Sequence, residues 1–131
     1  MLLILFSSLN ALAEARWAPL VLAPVLGRWG MTAAIVAFPY ARPAGLGRDI
    51  KDHAGTTQIV VASLTALAVA AVLAWKLGNY APFAAILASA LAWWLGARCV
   101  LDRIPGMTGD TYGAIAMLIE MVVLLTFVGM R

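Results

Sequence analysis

The sequence predicts an all-α, polytopic transmembrane helical bundle, with about four spans following a truncated N-terminal helix. Three observations carry this. Hydrophobic residues make up 64% of the 131-residue chain and charged residues only 11%, against roughly 45–50% and about 25% in soluble domains. Mean hydropathy is +0.96. The apolar residues also gather in four long runs, each close to the ~20 residues that cross a bilayer. A domain this small needs many polar residues to cover its surface in water. Lacking them, the chain is not a soluble monomer, a disordered tail or a disulfide scaffold.

The elements follow in order. Residues 1–13 are apolar but too short to span alone. Ala11-Leu12-Ala13 resembles a signal-peptide cleavage site, yet no Lys or Arg precedes the apolar stretch. The basic start of a signal peptide is therefore missing, and the run reads as the tail of a helix. Residues 17–38 form the first span, interrupted only by Arg28 and Thr32. Pro39, Pro43, Gly45 and Gly47 then break any helix, and residues 48–53 read as a charged, solvated loop. Residues 54–75 and 77–97 are uncharged spans joined by the turn Gly78-Asn79-Tyr80-Ala81-Pro82. A second polar loop covers 98–110. Residues 111–130 close the chain as a span whose one charge is Glu120.

Alternation puts the loops near 39–56 and 98–110 on one face. That face holds Arg42, Arg48, Lys51, Arg98 and Arg103, the other only Arg16, Lys76 and Arg131. The excess predicts that both loops are cytoplasmic, in the plasma (inner) membrane of a prokaryote. The net charge of +3 then reads as topology-setting charge beside anionic lipid, and no nucleic-acid partner is expected. Cys99 is the only cysteine, which excludes an internal disulfide and a cysteine metal cluster.

The sharpest motif is Gly106-Met107-Thr108-Gly109-Asp110-Thr111-Tyr112-Gly113-Ala114, leading into the last span. Glycines allow close backbone approach, and a helix N-terminus offers free N–H groups to an anion. Asp110 there could hold a magnesium ion that bridges phosphates. The same residues equally suit a helix cap, since Thr and Asp are favoured at helix starts.

Leu22-Ala23-Pro24-Val25-Leu26-Gly27-Arg28-Trp29, then Phe38-Pro39-Tyr40-Ala41-Arg42 and Gly45-Leu46-Gly47, resembles the middle of an adenosylcobinamide-GDP ribazoletransferase, also called cobalamin-5′-phosphate synthase. Residues 106–120 resemble the closing Thr-Gly-Asp signature of that family. The resemblance covers essentially the whole chain as the C-terminal half of such an enzyme, with Met1 inside a former transmembrane helix. It implies a membrane transferase of late cobalamin (vitamin B12) biosynthesis. The reaction joins adenosylcobinamide-GDP to α-ribazole or its phosphate, releases GMP and uses Mg2+. It further implies catalytic roles for Asp110, Glu120 and Arg28, and substrate binding by Arg42, Gly106, Thr108, Gly109 and Gly113. The acidic motif of the family's N-terminal half has no counterpart, and Met117 stands where a first acid of the last helix is usual. The chain is therefore expected to be inactive alone and to need the missing half, or a homo-oligomer. A non-catalytic assembly module and a small transporter are the alternatives.

Arg28 lies ten residues before Phe38 and Glu120 ten after Asp110, so both fall about 15 Å below the same face. Equal depth and opposite sign predict an ion pair between them. Asp110, Gly113, Met117 and Glu120 share one helical stripe. Arg48, Lys51 and His53 read as solvated, and Cys99 as a small buried hydrophobe.

Overall fold

A backbone in lipid must satisfy its own polar groups, and helices do this within each segment. The computed structural model describes residues 2–12, 16–41 and 46–130. Among them are six helices: α1 (Leu2–Ala11), α2 (Trp17–Ala37), α3 (Leu46–His53), α4 (Thr56–Leu77), α5 (Ala81–Leu101) and α6 (Gly109–Gly129). Of these, α2, α4, α5 and α6 are long and apolar enough to cross a membrane. The predicted bundle is the observed one.

The central pair is α2 and α6. Each buries 39% of its membrane window, against 17% for α4 and α5. The close approach is written in the small residues Ala23, Gly27, Gly30 and Ala34, all buried on α2. A Cβ at Gly30 would run into Ile119 Cδ1, and one at Gly27 would sit 3.3 Å from the Ala116 carbonyl oxygen. Lipid offers no hydrophobic drive between helices, so such contact is what holds them. In α5, Gly96 serves likewise: a Cβ there would lie 3.2 Å from Leu118 Cδ2 of α6. Trp29 Nε1 donates to Ser63 Oγ at 3.0 Å and ties α2 to α4. Phe38 stacks on Trp93 with centroids 5.6 Å apart, joining α5 to the end of α2. The short α1 packs on α6, burying Ser8 and Leu12.

The turn between α4 and α5 is as expected. Gly78 adopts φ 64° as the C-cap of α4, its amide bonded to the Ala74 carbonyl oxygen at 2.9 Å. Only glycine takes that conformation without cost. Asn79 Oδ1 accepts from the Ala81 amide at 3.0 Å, and Pro82 occupies the first turn of α5, where its missing donor is not needed. Consequently α5 starts and ends later than its apolar run. Its last turn takes in Arg98, where a cation suits the exposed carbonyl groups. The Arg98 guanidinium lies 5.0 Å over the Trp94 ring, and the adjacent Cys99 is exposed, not buried as expected, because its side of α5 is left uncovered.

The charged stretch 48–53 corrects the sequence reading: it is the helix α3, not a loop. Arg48 and Asp52 pair at 3.6 Å in i,i+4 register. Lys51 is not simply solvated. Its Nζ donates to the carbonyl oxygens of Ile35 at 2.6 Å and Val36 at 2.9 Å. Those carbonyls belong to the last turn of α2, which lacks helical partners, so the ammonium fastens α3 across that end.

Candidate functional site

Both polar segments meet at one end of the bundle, as alternation required. The Met107 amide donates to the Pro39 carbonyl oxygen at 2.8 Å, and the Ala41 amide donates to the Met107 carbonyl oxygen at 2.8 Å. Together they make a parallel bridge between Tyr40 and Met107. Met107 is fully buried beneath it. Tyr40 and Tyr112 stack alongside, with centroids 6.4 Å apart. The Pro-Tyr-Ala segment and the Gly-rich turn are therefore one unit.

Gly106 has a role other than the expected one. A Cβ there would lie 2.9 Å from both the Ala41 nitrogen and the Pro39 oxygen. The close approach that this glycine permits is already filled by backbone, not by a phosphate. By contrast, a Cβ at Gly109 or Gly113 would meet nothing within 4 Å. These two positions leave open space at the start of α6.

The cap of α6 is Thr108, not Asp110. The Thr108 amide donates to Thr111 Oγ1 at 2.7 Å, and the Thr111 amide donates to Thr108 Oγ1 at 3.4 Å. The Thr111 hydroxyl donates in turn to the Thr108 carbonyl oxygen at 2.8 Å. This reciprocal pair satisfies the helix start and leaves Asp110 unused. Asp110 is exposed in the first turn, with no hydrogen bond or ion pair among the described residues. Thr111, whose hydroxyl completes the cap, sets the backbone of the turn and is not among the residues the sequence singles out. Its three-residue spacing from Thr108 is the signal for it.

The expected ion pair between Arg28 and Glu120 does not form. The only ion pair among the described residues is Arg48 with Asp52. Glu120 is half-buried and turned to the small-residue face of α2, where a Cβ on Gly27 would lie 3.0 Å from its Oε1. Arg28 is exposed and lines a groove between α2 and α4. Equal depth is not enough: one residue along a helix turns the side chain by about 100°. Asp110, Gly113, Met117 and Glu120 do follow one side of α6, with Met117 exposed. Arg42 lies outside the described residues, directly after the bridged Ala41.

Among the described residues no group of three His, Cys, Asp or Glu side chains could hold a metal ion. At the α6 turn this chain offers the single carboxylate of Asp110, and magnesium is commonly held by one or two carboxylates with water and phosphate oxygens completing its octahedron.

The sequence profile of the family described as cobalamin-5-phosphate synthase matches residues 1–128. Similar proteins share the name adenosylcobinamide-GDP ribazoletransferase. One from Desulforamulus reducens is 43% identical over 102 residues, which is 76% of this chain and 39% of the relative. Another, from Pseudomonas savastanoi pv. phaseolicola, is 38% identical over 128 residues, covering 95% of this chain and 50% of the relative. A third, from Roseiflexus, is 39% identical over 109 residues, or 81% and 38% of the two chains. The chain thus spans about half the length or less of these relatives. No solved structure matches it. With a profile match that covers nearly every residue on a bundle of four apolar spans, the chain belongs to the cobalamin-5-phosphate synthase family.

Proposed function

We propose that this chain is one half of a membrane-embedded ribazoletransferase, and that it supplies part of the substrate-binding end of the enzyme. In that reaction an oxygen of α-ribazole or its phosphate attacks the corrinoid-linked phosphorus of adenosylcobinamide-GDP. A new P–O bond forms, the bond to the bridging oxygen breaks, and GMP leaves with that oxygen. Catalysis of such transfers is mostly positioning and charge stabilisation.

The observation that carries the reading is the welded end of the bundle. The Tyr40–Met107 bridge holds two family-like segments together, while the cap leaves Asp110 unengaged beside open space at Gly109 and Gly113. A phosphate would approach the amide groups at the start of α6 across those glycines. Thr108 and Thr111 set the backbone there. Arg42, next in sequence after Ala41, is proposed from the family resemblance as a guanidinium clamp for phosphate. Glu120, about 15 Å deeper on the same helix, would be the inner acid of the site. Asp110 is the residue proposed to face a magnesium ion, with the remaining ligands from substrate phosphates and water.

The same reading places the chain in the plasma membrane of a prokaryote, with the bridged loops on the cytoplasmic side, where Lys51, Arg98 and Arg103 lie. A second reading, a non-catalytic assembly module, is favoured by the lack of any three-ligand metal group among the described residues. Complementation separates the two. A strain lacking the ribazoletransferase should stay auxotrophic with this chain alone. It should grow when the other half of a relative is co-expressed, and Asp110→Asn should abolish that growth while membrane insertion is unchanged. Growth with Asp110→Asn equal to wild type would remove the catalytic reading.

A further inference from the structure

The groove beside Arg28 is a place where the bundle is chemically incomplete. Pro24, Val25, Arg28 and Thr32 of α2 face Ala62 and Thr65 of α4 across a cavity of about 400 Å³. It continues into a second cavity of about 450 Å³ that shares Thr32 and Ala62 and reaches Ile50 of α3. Arg28 is the one charge of α2 and lies near its middle. About 15 Å of helix separates it from either end, which is further than its side chain can reach by snorkelling toward the headgroups. It is exposed, and it makes no ion pair among the described residues. The neighbouring Thr32 hydroxyl donates to the Arg28 carbonyl oxygen at 3.0 Å, so it too is committed to the backbone. Glu120, the acid at matching depth, is turned to Gly27.

A guanidinium at this depth costs several kcal/mol unless it meets a counter-charge or water. The walls beside Arg28 are otherwise mostly apolar, and the Thr32 and Thr65 hydroxyls are committed to carbonyl oxygens of their own helices, which suits a helix better than a column of water. From this charge, this depth and this shape we infer that the α2/α4 groove receives a further transmembrane helix that carries a carboxylate opposite Arg28. Relatives are about twice as long as this chain, so a full-length protein has further segments from which such a helix could come. A phospholipid phosphate does not fit the depth. The inference rests on the depth and surroundings of Arg28 and uses none of the residues at the start of α6.

The test uses the chain in vesicles with a defined probe, a synthetic Leu/Ala-rich transmembrane peptide bearing one central Glu, and a twin bearing Gln. Association is read by energy transfer. Position is read by disulfide formation between a cysteine beside the peptide's Glu and Thr65→Cys in a Cys99→Ser background. The Glu peptide should bind about tenfold more tightly than its Gln twin and cross-link at Thr65→Cys. Arg28→Gln should erase the difference, and Arg28→Lys should restore most of it. Equal binding of the two peptides, a preference that survives Arg28→Gln, or no cross-link at Thr65→Cys would each overturn the inference. So would saturation of the groove by a labelled anionic lipid that excludes the Glu peptide.

Discussion

Tyr40 and Met107 are joined backbone to backbone, and the two 2.8 Å hydrogen bonds of that bridge lie directly over Gly106. An edge of paired backbone this short has little stability of its own. It persists because Met107 is fully buried below it and because the Tyr40 and Tyr112 rings stack beside it. The bridge converts two separate polar segments into one surface at the start of α6.

Gly106→Ala is therefore expected to destabilise the fold by about 1–3 kcal/mol. The added methyl meets backbone atoms at 2.9 Å, and backbone cannot rotate away as a side chain can. Gly109→Ala, with nothing within 4 Å, should be neutral or slightly stabilising. Unfolding in mixed detergent micelles gives the comparison, and amide exchange at Ala41 and Met107 should accelerate only in Gly106→Ala. Equal stability of both variants would mean that the bridge is not held by the missing side chain.

The α2–α6 contact makes a sharper case. Gly30→Ala collides with Ile119 Cδ1, and Ile119 is fully buried, so the single substitution should cost about 1–3 kcal/mol. Removing that methyl as well, with Ile119→Val, should recover part of the loss. The double variant is expected to be more stable than the two single costs predict. Additive costs would show that the two residues do not compete for one space.

Lys51 contributes two hydrogen bonds from a charged donor, each worth about 1.5–3 kcal/mol at most. Partial solvent exposure lowers that figure, and Lys51→Met should cost about 1–2 kcal/mol in all. The local effect should be larger than the global one. Amide exchange across α3 should rise to that of an unrestrained segment while α4 and α5 stay protected. Unchanged protection of α3 would show that Lys51 is not what docks it.

Thr108→Ala removes the acceptor for the Thr111 amide and should cost about 1 kcal/mol. Thr111→Val removes the reciprocal acceptor and should cost a similar amount. Because the two hydroxyls serve one cap, the double variant should lose less than the sum. Exchange at the first-turn amide groups of α6 reads this directly, and Asp110→Asn, which touches no cap bond, should leave it unaltered.

Much of this architecture is legible in the residue order. Helical spans follow from apolar run length alone, because lipid removes every other way to satisfy the backbone. Gly78 and Pro82 mark their turn because each carries a local conformational preference that no partner is needed to express. Thr108 reads as a cap for the same reason. The co-facial loops follow from counting spans. In each case the deciding free energy is local, or belongs to the bilayer.

The α3 helix is hidden in the sequence because Pro39, Pro43, Gly45 and Gly47 signal breakage so strongly. The Arg48–Asp52 spacing that supports it is worth only a few tenths of a kcal/mol. What holds α3 is Lys51 on the carbonyl oxygens of Ile35 and Val36, a contact that exists only once α2 ends beside it. The filling of Gly106 likewise depends on a segment distant in sequence.

The facing of Arg28 and Glu120 is beyond the sequence for a different reason. Run length and helix rise determine their depth, and both do lie well inside their spans. Rotation about the helix axis is another matter. A helix that is apolar all round presents no polar stripe to say which side faces inward. Only packing chooses. Here the small stripe Ala23, Gly27, Gly30 and Ala34 turns to α6, which sets Gly27, not Arg28, against Glu120 and sends the guanidinium to the α4 side. Residue order alone sets the spans, their succession and the end at which the polar residues gather. Tertiary structure alone decided which side chains meet, because the contacts that fix helix rotation are close-packing contacts between residues of no distinguishing polarity.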